Sequence, residues 1–153
     1  MTEPLAPLRS GFAMLVYQTS RHWRRSLNRR LQPFGLSEAT WRPLLYLSRN
    51  GAPMRQKELA AALGLDNSSV VRTLDALQAA GLVERREDQD DRRARALVLT
   101  PAGGAIVQQV EQVATAMRAE TLAGLSDAEL EAATHVLNHI NRQLAAEAEE
   151  QEP

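Results

Sequence analysis

The sequence predicts a mainly α-helical chain with one small β-hairpin, and three observations carry that reading. Two short amphipathic runs, one on either side of Gly64-Leu65-Asp66, occupy the stretch from Gln56 to Ala80. Directly after them, Leu82 to Leu99 reads as two strand-like runs around a charged tip. Longer stretches with apolar residues at helical spacing flank this block on both sides.

The first run, Gln56 to Leu63, places Leu59, Ala60 and Leu63 on one helical stripe, and Gly64 supplies the left-handed position that ends it. Leu65 is expected to plug the turn, with Asp66 or Asn67 capping the second helix. In that helix Val70, Val71, Leu74 and Leu77 recur at helical spacing until Gly81 stops it. At about 100° per residue, Ser68, Ser69, Arg72 and Ala76 fall within an arc of roughly 100° on the other side. Such a face can press into a major groove, its hydroxyls reaching phosphates or base edges and Arg72 forking onto guanine. A solvated face that merely lacks bulk would look the same, so the next segment decides.

Leu82 to Arg86 and Arg95 to Leu99 are the strand-like runs, Leu97 and Leu99 sharing a face, and Glu87-Asp88-Gln89-Asp90-Asp91-Arg92-Arg93 joins them. Acids beside arginines most often make a self-neutralised exposed loop. Following a recognition-type helix, the same run reads as a wing, with Asp91 bracing one arginine while Arg92 reaches a narrow minor groove. Helix, turn, helix and hairpin in this order make a winged helix-turn-helix.

With these residues in view, the chain resembles the MarR-type winged-helix regulators and, within them, the SlyA-like branch. The matching segments are Gln56-Lys57-Glu58-Leu59-Ala60, Ser69-Val70-Val71-Arg72-Thr73-Leu74-Asp75, Gly81-Leu82-Val83-Glu84-Arg85 and above all Asp91-Arg92-Arg93-Ala94-Arg95, closed by Leu99-Thr100. The likeness extends to Leu31 through Leu47 and, by pattern, to the flanking helices. It implies a dimeric, mostly helical DNA-binding protein that often releases DNA on meeting a small phenolic or aromatic carboxylate compound. Taken with the face read above, it puts double-stranded DNA against Asn67, Ser68, Ser69, Arg72, Thr73, Asp91, Arg92, Arg93 and Arg95. Members of the family often cap the helix at Gln56 with Ser or Thr; this chain has Met54-Arg55 there.

A chain of 153 residues suits one domain or one domain with helical arms, and a hydrophobic share of 44% is ordinary for a chain with a core. Cysteine is absent, which excludes disulfides, thiolate zinc sites and thiol-based oxidant sensing. No signal segment or membrane-length apolar run is present, so the expected location is the cytoplasm. Net charge is −1, but it is divided. Residues 1–100 hold 16 Lys and Arg against 10 Asp and Glu, a balance of +6, and residues 101–153 hold 2 against 9, a balance of −7. The basic portion contains the reading head, as attraction to phosphate requires. The single lysine, Lys57, shows that the arginine excess also follows composition.

Three sections are expected: an N-terminal arm and dimerisation helix over 1–35, the winged helix-turn-helix over 36–100, and C-terminal dimerisation helices with an acidic tail over 101–153. Met1 to Pro7 has no periodicity and reads as an arm. From near Leu8, Phe12, Leu15, Val16, Trp23, Leu27 and Leu31 recur helically until Gln32-Pro33-Phe34-Gly35 ends the run. So many large apolar residues on a terminal helix imply burial against a second subunit. Ser37 caps a helix to about Leu47, bent at Pro43, and Gly51-Ala52-Pro53 forms a loop. Thr100-Pro101 opens a long helix to about Ala123 with the stripe Ile106, Val110, Val113 and Met117. Ser126 with Glu129 makes a capping box and Leu125 with Leu130 a staple. The last helix then carries Leu130, Ala133, Leu137, Ile140 and Leu144 as a helix-packing seam, and Glu147 to Pro153 frays.

Enzymatic chemistry has little support. His135 and His139 stand four apart but project opposite the leucine seam without a third ligand, so no metal site is assigned. Gly103-Gly104 lacks the rest of a phosphate loop, and no cofactor or catalytic residue is read. An effector site is expected instead at Arg21, Trp23, Trp41, Arg42, Leu45 and Thr73, where an arginine beside an aromatic ring would hold an aromatic acid; core packing is the competing account of both tryptophans. The sequence thus predicts a homodimeric transcriptional repressor on a pseudo-palindromic operator. The alternatives are a ligand-independent architectural or counter-silencing DNA binder of the same fold, and a protein-interaction module without DNA affinity.

Overall fold

Apolar residues at helical spacing, interrupted by left-handed glycines, set the helices of the computed structural model, which describes residues 5–87 and 95–150. They are α1 (Leu5–Leu31), α2 (Glu38–Asn50), α3 (Gln56–Leu63), α4 (Asn67–Ala79), α5 (Pro101–Thr121) and α6 (Asp127–Glu150). A 3₁₀ turn, Gln32–Phe34, ends α1 at Gly35. The helix starts three residues earlier than the expected Leu8, because Pro7 falls in its first turn, where no N–H is needed. The end of the chain likewise stays helical through Glu150, into the tail expected to fray.

Three strands complete the fold: β1 (Met54–Arg55), β2 (Val83–Glu87) and β3 (Arg95–Leu99). Both β1 and β2 pair antiparallel with β3, giving the order β1-β3-β2 with Met54 opposite Leu97 and Val83 opposite Leu99. Two residues are too short to show an alternation, so β1 leaves no periodic signal in the sequence. Its buried Met54 covers the hairpin root beside Leu97.

The chain divides into two compact units, Met1–Met117 and Arg118–Pro153. In the first, Leu31, Leu44, Leu59, Val70, Leu74, Leu97, Val110 and Met117 are almost fully buried in one cluster. Each such side chain contributes about 1.5–3 kcal/mol by leaving water. The C-terminal part of α1 and α5 as far as Met117 therefore share a core with the winged helix. The buried stripe of α5 is Gly103, Val107, Val110, Ala114 and Met117, rotated from the expected one, with Ile106 and Val113 only partly covered. Gly103 is the reason: the helix lies directly on the Leu82 carbonyl there, and that approach fixes which face turns inward.

Helix ends show which caps are made. Ser37 has the extended backbone of an N-cap, but its hydroxyl meets the Thr40 hydroxyl at 3.2 Å rather than a backbone N–H. At α3, Arg55 offers no acceptor, and the capping role passes to Glu58, whose carboxylate accepts the Arg55 N–H at 2.7 Å. Pro43 lies buried within an unbroken α2. Leu65 donates its N–H to the Ala60 carbonyl at 3.0 Å, yet its side chain is 37% exposed, so it closes the turn only partly.

In the second unit the expected capping box at α6 is formed. Glu129 accepts from the Ser126 N–H at 2.8 Å and from its hydroxyl at 2.7 Å, and both hold the Glu129 carboxyl below the usual range. Leu125 is exposed and Leu130 half-buried. The seam residues Leu137 and Leu144 are 43% and 58% exposed in the single chain.

Candidate nucleic-acid interface

The outward face of α4 begins with Asp66, which settles the choice between two possible caps. Its carboxylate accepts from the Ser68 hydroxyl at 2.6 Å, the Ser69 N–H at 2.8 Å and the Ser69 hydroxyl at 2.7 Å. The Ser68 hydroxyl, then the Ser69 hydroxyl and N–H, hold the Asp66 carboxyl far below the usual carboxylate range. Both serine protons are thus engaged, and the serine oxygens retain only acceptor lone pairs. Donation to a phosphate, as the sequence suggested, requires a serine to leave Asp66; acceptance from a base amino group does not.

Beyond the cap, Val70, Leu74 and Leu77 enter the core while Asn67, Ser68, Arg72 and Ala76 are exposed. Arg72 makes no ion pair among the described residues. Asn67 accepts from the Gln56 amide at 3.3 Å, tying the tip of α4 to the start of α3. Ser69 and Thr73 are half-buried on the side facing α2.

The hairpin is fixed to α4 at its root. Leu82 donates its N–H to the Leu77 carbonyl at 2.9 Å, and Val83 is buried. Further along β2, the Arg85 guanidinium donates to Gln78 and, at 2.8 Å, to Asp75. Sequence reading missed this bridge, although Asp75 and Gln78 stand at the i, i+3 spacing that puts two acceptors on one helix face. Arg95 begins β3 opposite Glu87 and is exposed. Asp91, Arg92 and Arg93, expected at the wing tip, lie outside the described residues.

The six residues expected at an effector site do not form one site but divide among the core, a depression on α1 and a cavity beside α4. Trp41 is 5% exposed and donates its Nε1–H to Asn28 Oδ1 at 2.8 Å, and Leu45 is buried beside it in the core. Trp23 packs half-buried against the same core. Core packing therefore accounts for both tryptophans. Arg21 is exposed on α1 in a depression shared with Tyr17 and Arg24. Arg42 and Thr73 line one cavity of about 230 Å³, together with Glu38, Ala39, Pro43, Leu63, Leu65 and Ser69. Glu38 lies 3.6 Å from Arg42 and 3.5 Å from Arg24, so part of the Arg42 charge is already balanced. His135 and His139 are exposed, and no group of three metal-capable side chains occurs among the described residues. Among those residues, no helix is long and apolar enough to cross a membrane.

This arrangement has known counterparts. A MarR family model matches residues 34–94, from the 3₁₀ turn after α1 into the hairpin. The transcriptional regulator PA3341 is 38% identical with a TM-score of 0.82, over 88% of this chain and 98% of that one. The chain belongs to the MarR family of transcriptional regulators. Wild-type apo MarR from E. coli superposes with a TM-score of 0.71 at 27% identity, covering 84% of this chain and 95% of that one. A MarR-family regulator from Silicibacter pomeroyi gives 0.73 at 29%, covering 86% and 88%. In this MarR-family chain, α3 and α4 are the helix-turn-helix and β2 with β3 the wing.

Proposed function

We propose that this MarR-family protein is a homodimeric, sequence-specific repressor that binds a pseudo-palindromic operator. The observation that carries the reading is the outward face of α4, where Arg72 stands exposed and without an ion pair among the described residues while the opposite face is locked in the core. Two such helices enter adjacent major grooves, Arg72 donating both arms of its fork to guanine O6 and N7. Ser68 accepts from a cytosine or adenine amino group, since its own proton belongs to Asp66. Arg92 enters the minor groove, with Arg93, Arg95 and Asn67 adding contacts to the backbone. The Asp91-Arg92-Arg93-Ala94-Arg95 segment supports a place in the SlyA-like branch.

Dimerisation follows from uncovered apolar surface: Leu8, Phe12 and Leu15 on α1, and Leu137 and Leu144 on α6, are all at least 40% exposed in the single chain. A small aromatic anion is the effector, held by Arg42 and Thr73 against Pro43 and Leu65 in the cavity behind α4. Its occupancy biases the position of α4 and so releases DNA. Electrophoretic or fluorescence binding to DNA selected from a random pool tests the reading, with Arg92→Ala binding severely weakened. DNA binding that ignores every aromatic acid offered favours the ligand-independent alternative, and no salt-dependent DNA binding removes the function altogether.

A further inference from the structure

We propose that Arg85 is a positioning residue that sets the reach of the wing from the recognition helix, so that it governs DNA affinity without touching DNA. The inference rests on the reading that α4 and the wing both engage one duplex.

The geometry is that of a brace. Arg85 lies in β2, yet its guanidinium turns back to α4, one arm donating to Gln78 and the other to Asp75 at 2.8 Å. A planar fork meeting two acceptors one helical turn apart fixes direction as well as distance, which a lysine point charge does not. The Arg85 side chain is only 22% exposed, against 59% for Asp75 and 63% for the neighbouring Arg86, whose guanidinium is held by Glu84 instead. Arg85 is thus turned toward the helix, and its charge is balanced by Asp75 rather than offered to phosphate.

What this brace controls follows from where it sits. Only three residues, Ala80 to Leu82, connect α4 to β2, and Val83 anchors the strand in the core. Two residues further on, opposite the buried Leu97, Arg85 adds a direct side-chain tie from the strand to α4, so the hairpin is held against the recognition helix as well as by the pairing of its strands. A strand advances about 3.3 Å per residue, so a small rotation at the root moves every later residue by a growing distance. Two DNA contacts on one rigid body bind with a high effective concentration for the second once the first is made; on a swinging hairpin that advantage falls.

The test is a double-mutant cycle on DNA selected by the parent protein from a random pool. Arg85→Met keeps the apolar stem and removes the fork. It should weaken binding roughly tenfold in the parent and by less than about twofold in an Arg92→Ala background, where the minor-groove contact that the brace positions is already gone. Asp75→Ala supplies a test of sign: removal of an acid from the basic half should tighten DNA binding by charge alone, whereas loss of the brace weakens it. Equal losses from Arg85→Met in both backgrounds, or tighter binding by Asp75→Ala, overturn the proposal. If Arg85→Met does not fold, Arg85→Gln and Asp75→Ala carry the same comparison. An Arg92→Ala protein that binds as the parent does refutes the wing reading and the brace with it; a normal Arg92 effect with no Arg85 effect refutes the brace alone.

Discussion

Gly103 lies against the Leu82 carbonyl oxygen so closely that a side-chain carbon at position 103 would overlap it. The carbonyl cannot retreat freely, because it also accepts the Thr100 N–H at 3.2 Å. Beside it the Thr100 hydroxyl donates to the Gly81 carbonyl at 2.6 Å and accepts the Gly103 N–H at 3.0 Å. The end of α4, the root of the wing and the start of α5 thus meet at one point.

Gly103→Ala is therefore expected to destabilise the protein by about 1–3 kcal/mol, the usual cost of overpacking a filled site. Gly104→Ala, whose new carbon meets open space, should be neutral or stabilising by up to about 1 kcal/mol, as expected for Gly to Ala within a helix. Urea denaturation of the two variants beside the parent checks both signs.

Acid should remove the contribution of the Asp66 cap. Its folded carboxyl titrates far below the ordinary value of 3.8, so its stabilisation is fully present above that value and is lost as pH falls through the folded one. Asp66→Ala should accordingly be less stable than the parent by a constant amount near neutrality, with the gap closing below the ordinary value. A gap that is unchanged down to strongly acidic pH would show that the cap does not depend on the carboxylate.

Much of this molecule could be read from periodicity and punctuation. Gly35, Gly64 and Gly81 end their helices in the left-handed conformation, and the α3-α4 pair falls where alternating apolar spacing puts it. What escaped is what depends on contacts distant in sequence. β1 forms only because Met54 and Arg55 meet β3 some forty residues later. The inward face of α5 is chosen by the approach of Gly103 to Leu82, which periodicity cannot register. Trp41 looked like a ligand wall because its partner, Asn28, lies in another helix. The Arg85 brace was hidden for the same reason: each of its residues reads alone as a solvated charge or amide.

The exposed leucines of α1 and α6 predict a stable dimer. Sedimentation at micromolar concentration should show no substantial monomer, and Leu137→Glu or Leu144→Glu should raise the monomer fraction while retaining helical circular dichroism. A monomeric parent would remove the two-headed arrangement and the half-sites about 10 bp apart that it requires.

Effector response should follow Arg42 rather than Arg21. With a salicylate-like acid, Arg42→Ala is expected to lose the ligand-induced fall in DNA affinity, and Arg21→Ala, whose side chain lies in a separate depression on α1, to keep it. Titration of protein-DNA complexes with a panel of aromatic acids checks this; a response lost only in Arg21→Ala would move the site to α1.

Base reading by α4 is the central claim, and selection from a random DNA pool with the parent and Arg72→Ala measures it directly. The parent should enrich a pseudo-palindrome with a guanine fixed in each half-site. Arg72→Ala should relax that position alone and bind more weakly by roughly 1–3 kcal/mol per reading head. Enrichment of the same sequence with the same discrimination by both proteins would contradict it, because the exposed face of α4 would then not be what reads the DNA.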